Sequence, residues 1–533
     1  MSTNDQNAAL SAALKGRARA KVLGLTFDDV MRYFFGGNAT VAVIVLLLIL
    51  VFLGKEGAGF FGQNQVNLSV YRKAGLEYVD MMRLPMEDFT SLTRGLNDAR
   101  LVRFQALLAS GKDAEQANAA LAEFDAFADK FGAVAGDARG LMTDLTEVVS
   151  AVKTRVQVAA DNDLERDMLR HAGREEEAKA LKIEEVDFQK EIAAIKAAAG
   201  AWKPTADAML AGLKAATATG RAAAWAKGDV LLEKVFVKAE KFAAELPKVE
   251  LRMAAWNWEE PVPYSRSMAA FLFGRDWITA SFWQDWYGML PLLSGSLMVS
   301  VIAMIVAVPL AISCAIYVSE IATPGEKALI KPYIEFVSAI PSVVLGFFGI
   351  AVLGTAIRSL SQVEWLNWIP GFPMSERLNA FTAGLLLALT SIPTIFSLAE
   401  DALANVPRHF KEASYALGAT RFQTLVRVLI PASLSGIISA VLLGFGRVIG
   451  ETMVVLLCAG NRIAIPDFSE GLSAFFQPVH TMTGIIAQEM GEVAQGSIHY
   501  RALFMVGIIL FFASLIINFI AQKVVRKYRI SIG

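Results

Sequence analysis

Arg447 and Glu451 stand four residues apart inside an apolar run, ASLSGIISAVLLGFGRVIGETMVVLLCAG (432–460). A lone charge at the middle of a bilayer costs at least about 2.5–3.5 kcal/mol on insertion scales, so it needs a partner or a water-filled interior. Residues four apart share a helix face, and this spacing predicts that the two side chains meet. Two roles fit such a pair. It can lock its helix as a structural ion pair. Alternatively, Arg447 meets an oxyanion, because its planar fork donates two parallel hydrogen bonds. Glu451 would then orient the guanidinium and offset its charge when no anion is present. Ionisable groups inside spans mark function by default, which puts the second role first. Thr452 adds a hydroxyl that can donate to the same anion or bond back to its own helix. Ser296 and Ser300, one turn apart, either line a path or let helices pack closely.

The element that must position this pair begins upstream. Residues 401–431, DALANVPRHFKEASYALGATRFQTLVRVLIP, are too polar to span. Val406-Pro407 predicts a helix start soon after, since proline is tolerated in a first turn. Glu412 to Leu417 reads as helix, Gly418 as its break, and Arg421 to Val428 as a second short helix ending at Pro431. Two short helices about a glycine elbow make a compact knob projecting from the membrane. Arg447 follows Pro431 by about sixteen residues, roughly 24 Å of helix at 1.5 Å per residue. That places it past the bilayer middle.

Composition and loop charge set the frame. The chain has 533 residues, 55% of them hydrophobic, and a net charge of −1; its mean hydropathy is +0.45. Soluble domains average about 45–50% apolar, so the excess points to membrane. Near-zero charge excludes nucleic acid as the main partner, because neutralising phosphates needs a basic face. The two cysteines, Cys314 and Cys458, both lie in apolar runs, and His171, His409, His480 and His499 form no ligand motif. Neither a disulfide framework nor a metal site is expected, and no cofactor is implied. No G-x-x-x-x-G-K-[ST] loop occurs, since Gly54-Lys55 and Gly111-Lys112 lack its context. The chain is therefore not expected to hydrolyse ATP by that route, nor to be an enzyme.

Six apolar stretches are long enough to cross about 30 Å of hydrocarbon. They are Phe34–Leu53, Met289–Val318, Phe336–Ile357, Ala380–Leu398, Ala432 to about Ala459, and Ala502–Gln522. Pro309, Pro341 and Pro393, with Gly346 and Gly349, offer bends within them. The first stretch reads as an uncleaved anchor, because the polar segment before it is too long for a signal peptide. Basic residues cluster on one side: Lys15, Arg17, Arg19, Lys21 and Arg32 before the anchor, Lys327 and Lys331, then Arg408, Lys411, Arg421 and Arg427, and finally Lys523, Arg526, Lys527 and Arg529. The positive-inside rule makes that side the cytoplasm, with both termini on it. Glu320, Glu335 and Glu400 fall near cytoplasmic ends of spans and read as solvated.

Between the anchor and the second span lies a polar block, about Asn64 to Trp283. Apolar residues recur there at helical spacing: Leu121, Phe124, Phe127, Phe131, Val134, Ala138, Leu141, Leu145, Val148, Val152 and Val156. The tract RHAGREEEAKALKIEEVDFQKEIAAIKAA mixes Glu and Lys at three- and four-residue offsets, as a solvated helix face does. The block predicts an all-helical bundle or hairpin, extracytoplasmic because one span precedes it, and serving as a spacer ahead of any ligand-binding role.

The knob carries a further pattern. Glu412-Ala413-Ser414, then Gly418, then Val428-Leu429-Ile430-Pro431 resembles the EAA loop of binding-protein-dependent ABC importers, with Ser414 where the third residue is Ala. The segments 287–320, 339–350, 391–407, GRVIGETM (446–453) and 481–504 are similar, in order, to PstC-type phosphate permeases, over nearly all of 285–533. The resemblance implies an all-α polytopic permease fold with six transmembrane helices in a bacterial inner membrane. It implies ATP-driven phosphate import by alternating access, with the loop docking a separate PstB-like ATPase. A second, PstA-like permease or a second copy, and an external PstS-like phosphate-binding protein, would complete the assembly. Within it, Arg447, Glu451 and Thr452 would line the substrate path, and Glu412, Ala413, Ser414, Gly418 and Pro431 would form the coupling loop. The expected division is a cytoplasmic segment 1–33, an anchor 34–54, an insert 55–283 about which the resemblance says nothing, and a permease core 284–533 containing loop 401–431. Import of another oxyanion such as sulfate or molybdate, or a receptor sensing through the insert, are the alternatives.

Overall fold

The computed structural model describes residues 21–22, 25–171, 173–180, 186–279, 281–366, 368–374 and 376–528. Lys15, Arg17, Arg19 and Arg529, and residues 181–185 of the charged tract, lie outside the described residues. Apart from the short antiparallel pairs Lys21–Val22 with Leu25–Thr26 and Trp277–Ile278 with Trp286–Tyr287, regular structure is helical. The chain divides into two compact units. One holds the described residues up to Phe60 together with those from Leu290 onward; the other is Phe61–Met289.

The Phe61–Met289 unit is a bundle built on the helices Leu76–Ala109, Ala114–Ala133, Gly136–His171, Trp202–Ala222 and Val230–Ala255. Asp113 and Asp229 begin two of them by accepting hydrogen bonds from backbone N–H groups of the first turn, which satisfies donors that a helix start otherwise leaves unpaired. Leu121, Phe124, Phe127 and Phe131 form one buried stripe. The aromatic core gathers around Phe131, stacked on Phe89 with ring centroids 5.7 Å apart, while Phe242 lies 5.8 Å from Phe89 in a tilted contact. The apolar stripe does not run unbroken to Val156 as its spacing predicts. The chain turns at 134–135 between Gly132 and Gly136, residues of low helix propensity, and the next helix restarts in a new phase. Val149 is consequently buried and Val148 exposed.

Two acidic residues near the start of the Leu76–Ala109 helix are enclosed by donors. Asp80 accepts from the Tyr71 hydroxyl at 2.6 Å, Arg83 Nε at 2.5 Å and Trp283 Nε1 at 2.9 Å. Glu77 accepts from Arg72 Nε at 2.7 Å, Arg266 Nη2 at 2.5 Å and Trp256 Nε1 at 3.1 Å. Burial pushes the Glu77 carboxyl up, but these three donors outweigh it and hold it below the usual carboxylate range.

Among the described residues six helices are long and apolar enough to cross a membrane: Met31–Lys73, Leu290–Ile321, Ser342–Ser361, Ala380–Ala404, Arg421–Gly450 and Ile498–Lys523. The Leu290–Ile316 helix buries Ala303, Ala307, Ala311 and Ala315 against Ala388, Phe396 and Ala399. Such small residues let backbones approach in a medium that supplies no hydrophobic drive. Gly384 shows how close they come: a Cβ there would sit 2.5 Å from Ile302 Cγ2. Ser296 and Ser300 are buried in this contact. Ser300 donates to the Ser296 carbonyl and Ser296 Oγ accepts from Met482 N, so both serve packing rather than a path.

Two spans differ from expectation. The third begins at Ser342, not Phe336, because residues before proline avoid the helical region and Pro341 itself is extended (φ −58°, ψ 134°). Residues Pro324–Val337 form a separate helix, opened by a reciprocal cap between Thr323 and Glu326. In the fifth, the helix does not end at Pro431. It runs from Arg421 to Gly450 through a wide, π-type turn at Leu425–Leu429 just before the proline. Such turns loosen the local hydrogen-bond ladder, which lets a residue without an N–H be passed. Phe131→Ala, which empties the aromatic centre of the bundle, is expected to cost about 3–5 kcal/mol, read as a lower unfolding midpoint of the purified full chain in detergent.

Candidate functional site

The long helix that starts in the polar loop carries Arg447 in its last turn and ends at Gly450. Arg447 is exposed, and its Nη1 makes one long hydrogen bond, 3.3 Å, to the Thr394 hydroxyl on the neighbouring Ala380–Ala404 helix. Glu451 follows in extended conformation (φ −73°, ψ 131°). Its carboxylate accepts from Met453 N at 3.3 Å, at the start of the short helix Met453–Cys458.

The expected Arg447–Glu451 pair is therefore corrected: no ion pair joins them among the described residues. The four-residue rule requires both residues in one helix, and the helix has ended before Glu451. Thr483 fixes this break by donating to the Glu451 carbonyl at 2.9 Å. The Thr452 hydroxyl reaches only the Gly450 carbonyl, at 3.5 Å, too long to hold it firmly. The result is a guanidinium with most of its donors uncommitted beside a hydroxyl, with a carboxylate turned to a different backbone group. Such a set suits a planar or tetrahedral oxyanion.

At the opposite end of the same helix, Arg408–Ala416 begins directly after Pro407, earlier than the expected Glu412. Gly418 turns the chain at φ +80°, a left-handed conformation that glycine adopts without strain. Thr420 and Gln423 then cap the next helix reciprocally. Ser414 is buried, and its hydroxyl lies 2.8 Å from that of Thr424, so it ties the two helices together. Glu412, Ala413 and Pro431 are exposed, and Leu417, 89% exposed, forms the tip with Phe422. An apolar tip on a polar loop suits a protein partner.

Two carboxylates read as solvated are not. Glu320, at the end of the Leu290–Ile321 span, is bound by Lys411 Nζ at 2.7 and 2.9 Å. Glu400 is buried in the Ala380–Ala404 helix, with Lys327 Nζ at 3.1 Å and Lys331 Nζ at 2.5 Å. That hydrogen bond raises the Lys331 amine above its usual value. Sequence reasoning missed these partners, although the cost of a charge in a span, applied to Glu400, would have demanded one. It missed Thr394 as well, whose only signal is its place beside Pro393 in a span. Replacing both Lys327 and Lys331 by Ala strands the buried Glu400 charge. The loss expected is about 3–5 kcal/mol, measured as a depressed unfolding midpoint, with Glu400→Gln added to the double variant recovering part of it.

The family model "Binding-protein-dependent transport system inner membrane component" matches residues 307–530. The probable ABC transporter permease protein YqgH of Bacillus subtilis is 35% identical over 241 residues, 45% of this chain and 71% of its own. The phosphate transport system permease protein PstC of Haemophilus influenzae is 30% identical, over 48% of this chain and 82% of its own. PstC of Mesorhizobium japonicum is 30% identical, over 52% and 84%. Among solved structures, a chain of the inward-facing MetNI methionine ABC transporter matches over 45% of this chain and 94% of its own at 17% identity, with a TM-score of 0.32. The chain belongs to the binding-protein-dependent transport-system inner membrane components, as a multi-pass ABC permease of the PstC type.

Proposed function

We propose that this chain is the membrane-spanning subunit of an ATP-driven importer of inorganic phosphate. The observation that carries the proposal is Arg447, held by one long hydrogen bond at the end of a helix whose other end is the EAA-like loop. A guanidinium with free donors binds a phosphate oxyanion through paired, charge-assisted hydrogen bonds. The names of the PstC relatives agree with that chemistry. The Thr394 and Thr452 hydroxyls and the Glu451 carboxylate complete the path, the carboxylate limiting how tightly an anion is held.

Glu412, Ala413, Ser414, Gly418 and Pro431 form the loop that docks a PstB-like ATPase, with Leu417 and Phe422 as its apolar contact. A PstA-like permease or a second copy faces Arg447 across the path. An external PstS-like binding protein delivers phosphate from the side opposite the loop. The basic residues Lys327, Lys331, Arg408, Lys411, Arg421 and Arg427 support a cytoplasmic loop side and cytoplasmic termini, with the Phe61–Met289 unit outside. ATP hydrolysis on the partner moves the loop, and the unbroken helix from Arg421 carries that movement to Arg447.

Arg447→Ala removes at least two charge-assisted hydrogen bonds of about 1.5–3 kcal/mol each. It should lower phosphate uptake by roughly 100-fold or more while the complex still co-purifies. Undiminished uptake sinks the role of Arg447, and labelled sulfate or molybdate entering faster than phosphate in reconstituted vesicles sinks the substrate. The Glu320–Lys411 contact offers a separate check on the loop. Glu320→Lys should let ATP be hydrolysed without transport, and adding Lys411→Glu should restore coupling; failure of the swap to rescue would show that the contact is not part of the linkage.

A further inference from the structure

We infer that the helix Tyr264–Leu272 lies in the lipid headgroup layer and is the foot on which the insert stands at the membrane surface. Both ends of the insert converge on this helix. On the incoming side, Ser267 Oγ donates to the Phe61 carbonyl at 2.8 Å, and Asn64 Nδ2 donates to Ser267 Oγ at 3.1 Å. The Phe61 ring packs 6.0 Å from Tyr264 and 5.9 Å from Phe271. On the outgoing side, Met289 N donates to the Phe271 carbonyl at 2.8 Å. Leu290, the next residue, begins a span. The anchor helix Phe27–Ala58 ends three residues before Phe61. A helix tied by hydrogen bonds to Phe61, eight residues past the apolar stretch Phe34–Leu53, and to Met289, the residue directly before the span that starts at Leu290, has no route far from the bilayer surface.

Its surface is built for that place. Ser267 and Phe271 are fully buried and make the ties just described. Tyr264, Met268 and Leu272, four residues apart, form an exposed stripe on the remaining face, and Phe273, 70% exposed, extends it. The exposed Ile278 of the short strand pair follows closely in the chain. Within the helix the one charged residue, Arg266, is turned away to Glu77. An aromatic and aliphatic stripe along one face of a short helix is the mark of an interfacial amphipathic helix, whose apolar face enters the headgroup–acyl boundary. Tyr264 supplies the amphipathic ring that favours that depth. In water, the same stripe would be an unpartnered apolar face. The reading depends on the spans alone, not on which solute is carried.

Single cysteines replacing Met268 and Phe273, with Lys112→Cys as a water-facing control, can be introduced into a Cys314→Ala, Cys458→Ala chain. The full chain is placed in nanodiscs of phosphatidylethanolamine and phosphatidylglycerol and labelled with a nitroxide. At 268 and 273 the ratio of collisions with oxygen, which concentrates in lipid, to collisions with a water-soluble nickel chelate should exceed that at 112 several-fold. A ratio equal to the control overturns the inference. Low collision with both reagents overturns it too, because a protein surface would then cover the stripe. If the cysteine-free chain does not fold, Phe273→Trp in the native background serves instead. Its difference emission should be quenched by lipids brominated near the headgroup, and absence of quenching rejects the foot.

Discussion

A charge in hydrocarbon must be met by an opposite charge, a hydrogen-bond network or water, and the membrane unit is arranged around that requirement. Where the polar loop meets the spans, the requirement is satisfied within the chain. Lys327 and Lys331 close on Glu400, and Lys411 closes on Glu320. These contacts bind the Pro324–Val337 helix and the first loop helix to the spans beneath them. At the far end of the Arg421–Gly450 helix it is not satisfied, since Arg447 has one long hydrogen bond to a neutral hydroxyl. The same physical rule thus separates the two kinds of charge. Paired ones fix elements to each other, and Arg447 keeps donors open for the anion we propose it meets.

The spans and the loop were legible because composition and basic-loop asymmetry act over many residues at once. What stayed hidden depended on single backbone positions or on partners distant in the chain. Glu451 looked like a helical neighbour of Arg447, but the helix stops one residue too early for the four-residue rule, and nothing in GRVIGETM announces that stop. Glu320 and Lys411 are 91 residues apart, and Lys331 and Glu400 are 69 apart; no local period could pair them. Pro431 read as a helix end because proline usually is one, whereas the wide turn before it absorbs the missing donor. The insert was legible as helices from its stripes. Its phase was not, because two glycines reset the register between Phe131 and Ala138.

The insert is a self-contained helical unit. Its aromatic core is its own, and its carboxylates, half-buried Glu77 and buried Asp80, are held by donors from four separate segments: residues 71–72, Arg83, Trp256 with Arg266, and Trp283. Several of these donors come from the sequence ends of the unit. Closing the bundle therefore brings its first and last segments together.

The wide turn at Leu425–Leu429 has a rotational meaning. A π-type turn accommodates one residue more than an α turn, and one residue corresponds to about 100° around an α-helix axis. This single irregularity sets the compass bearing of everything downstream relative to the loop, Arg447 included. Were the turn to tighten into regular α-helix, the guanidinium would swing around the axis by about that angle while rising only about 1.5 Å along it. If this helix couples loop to path as proposed, torsion would serve as well as thrust, with the wide turn placed just before Pro431.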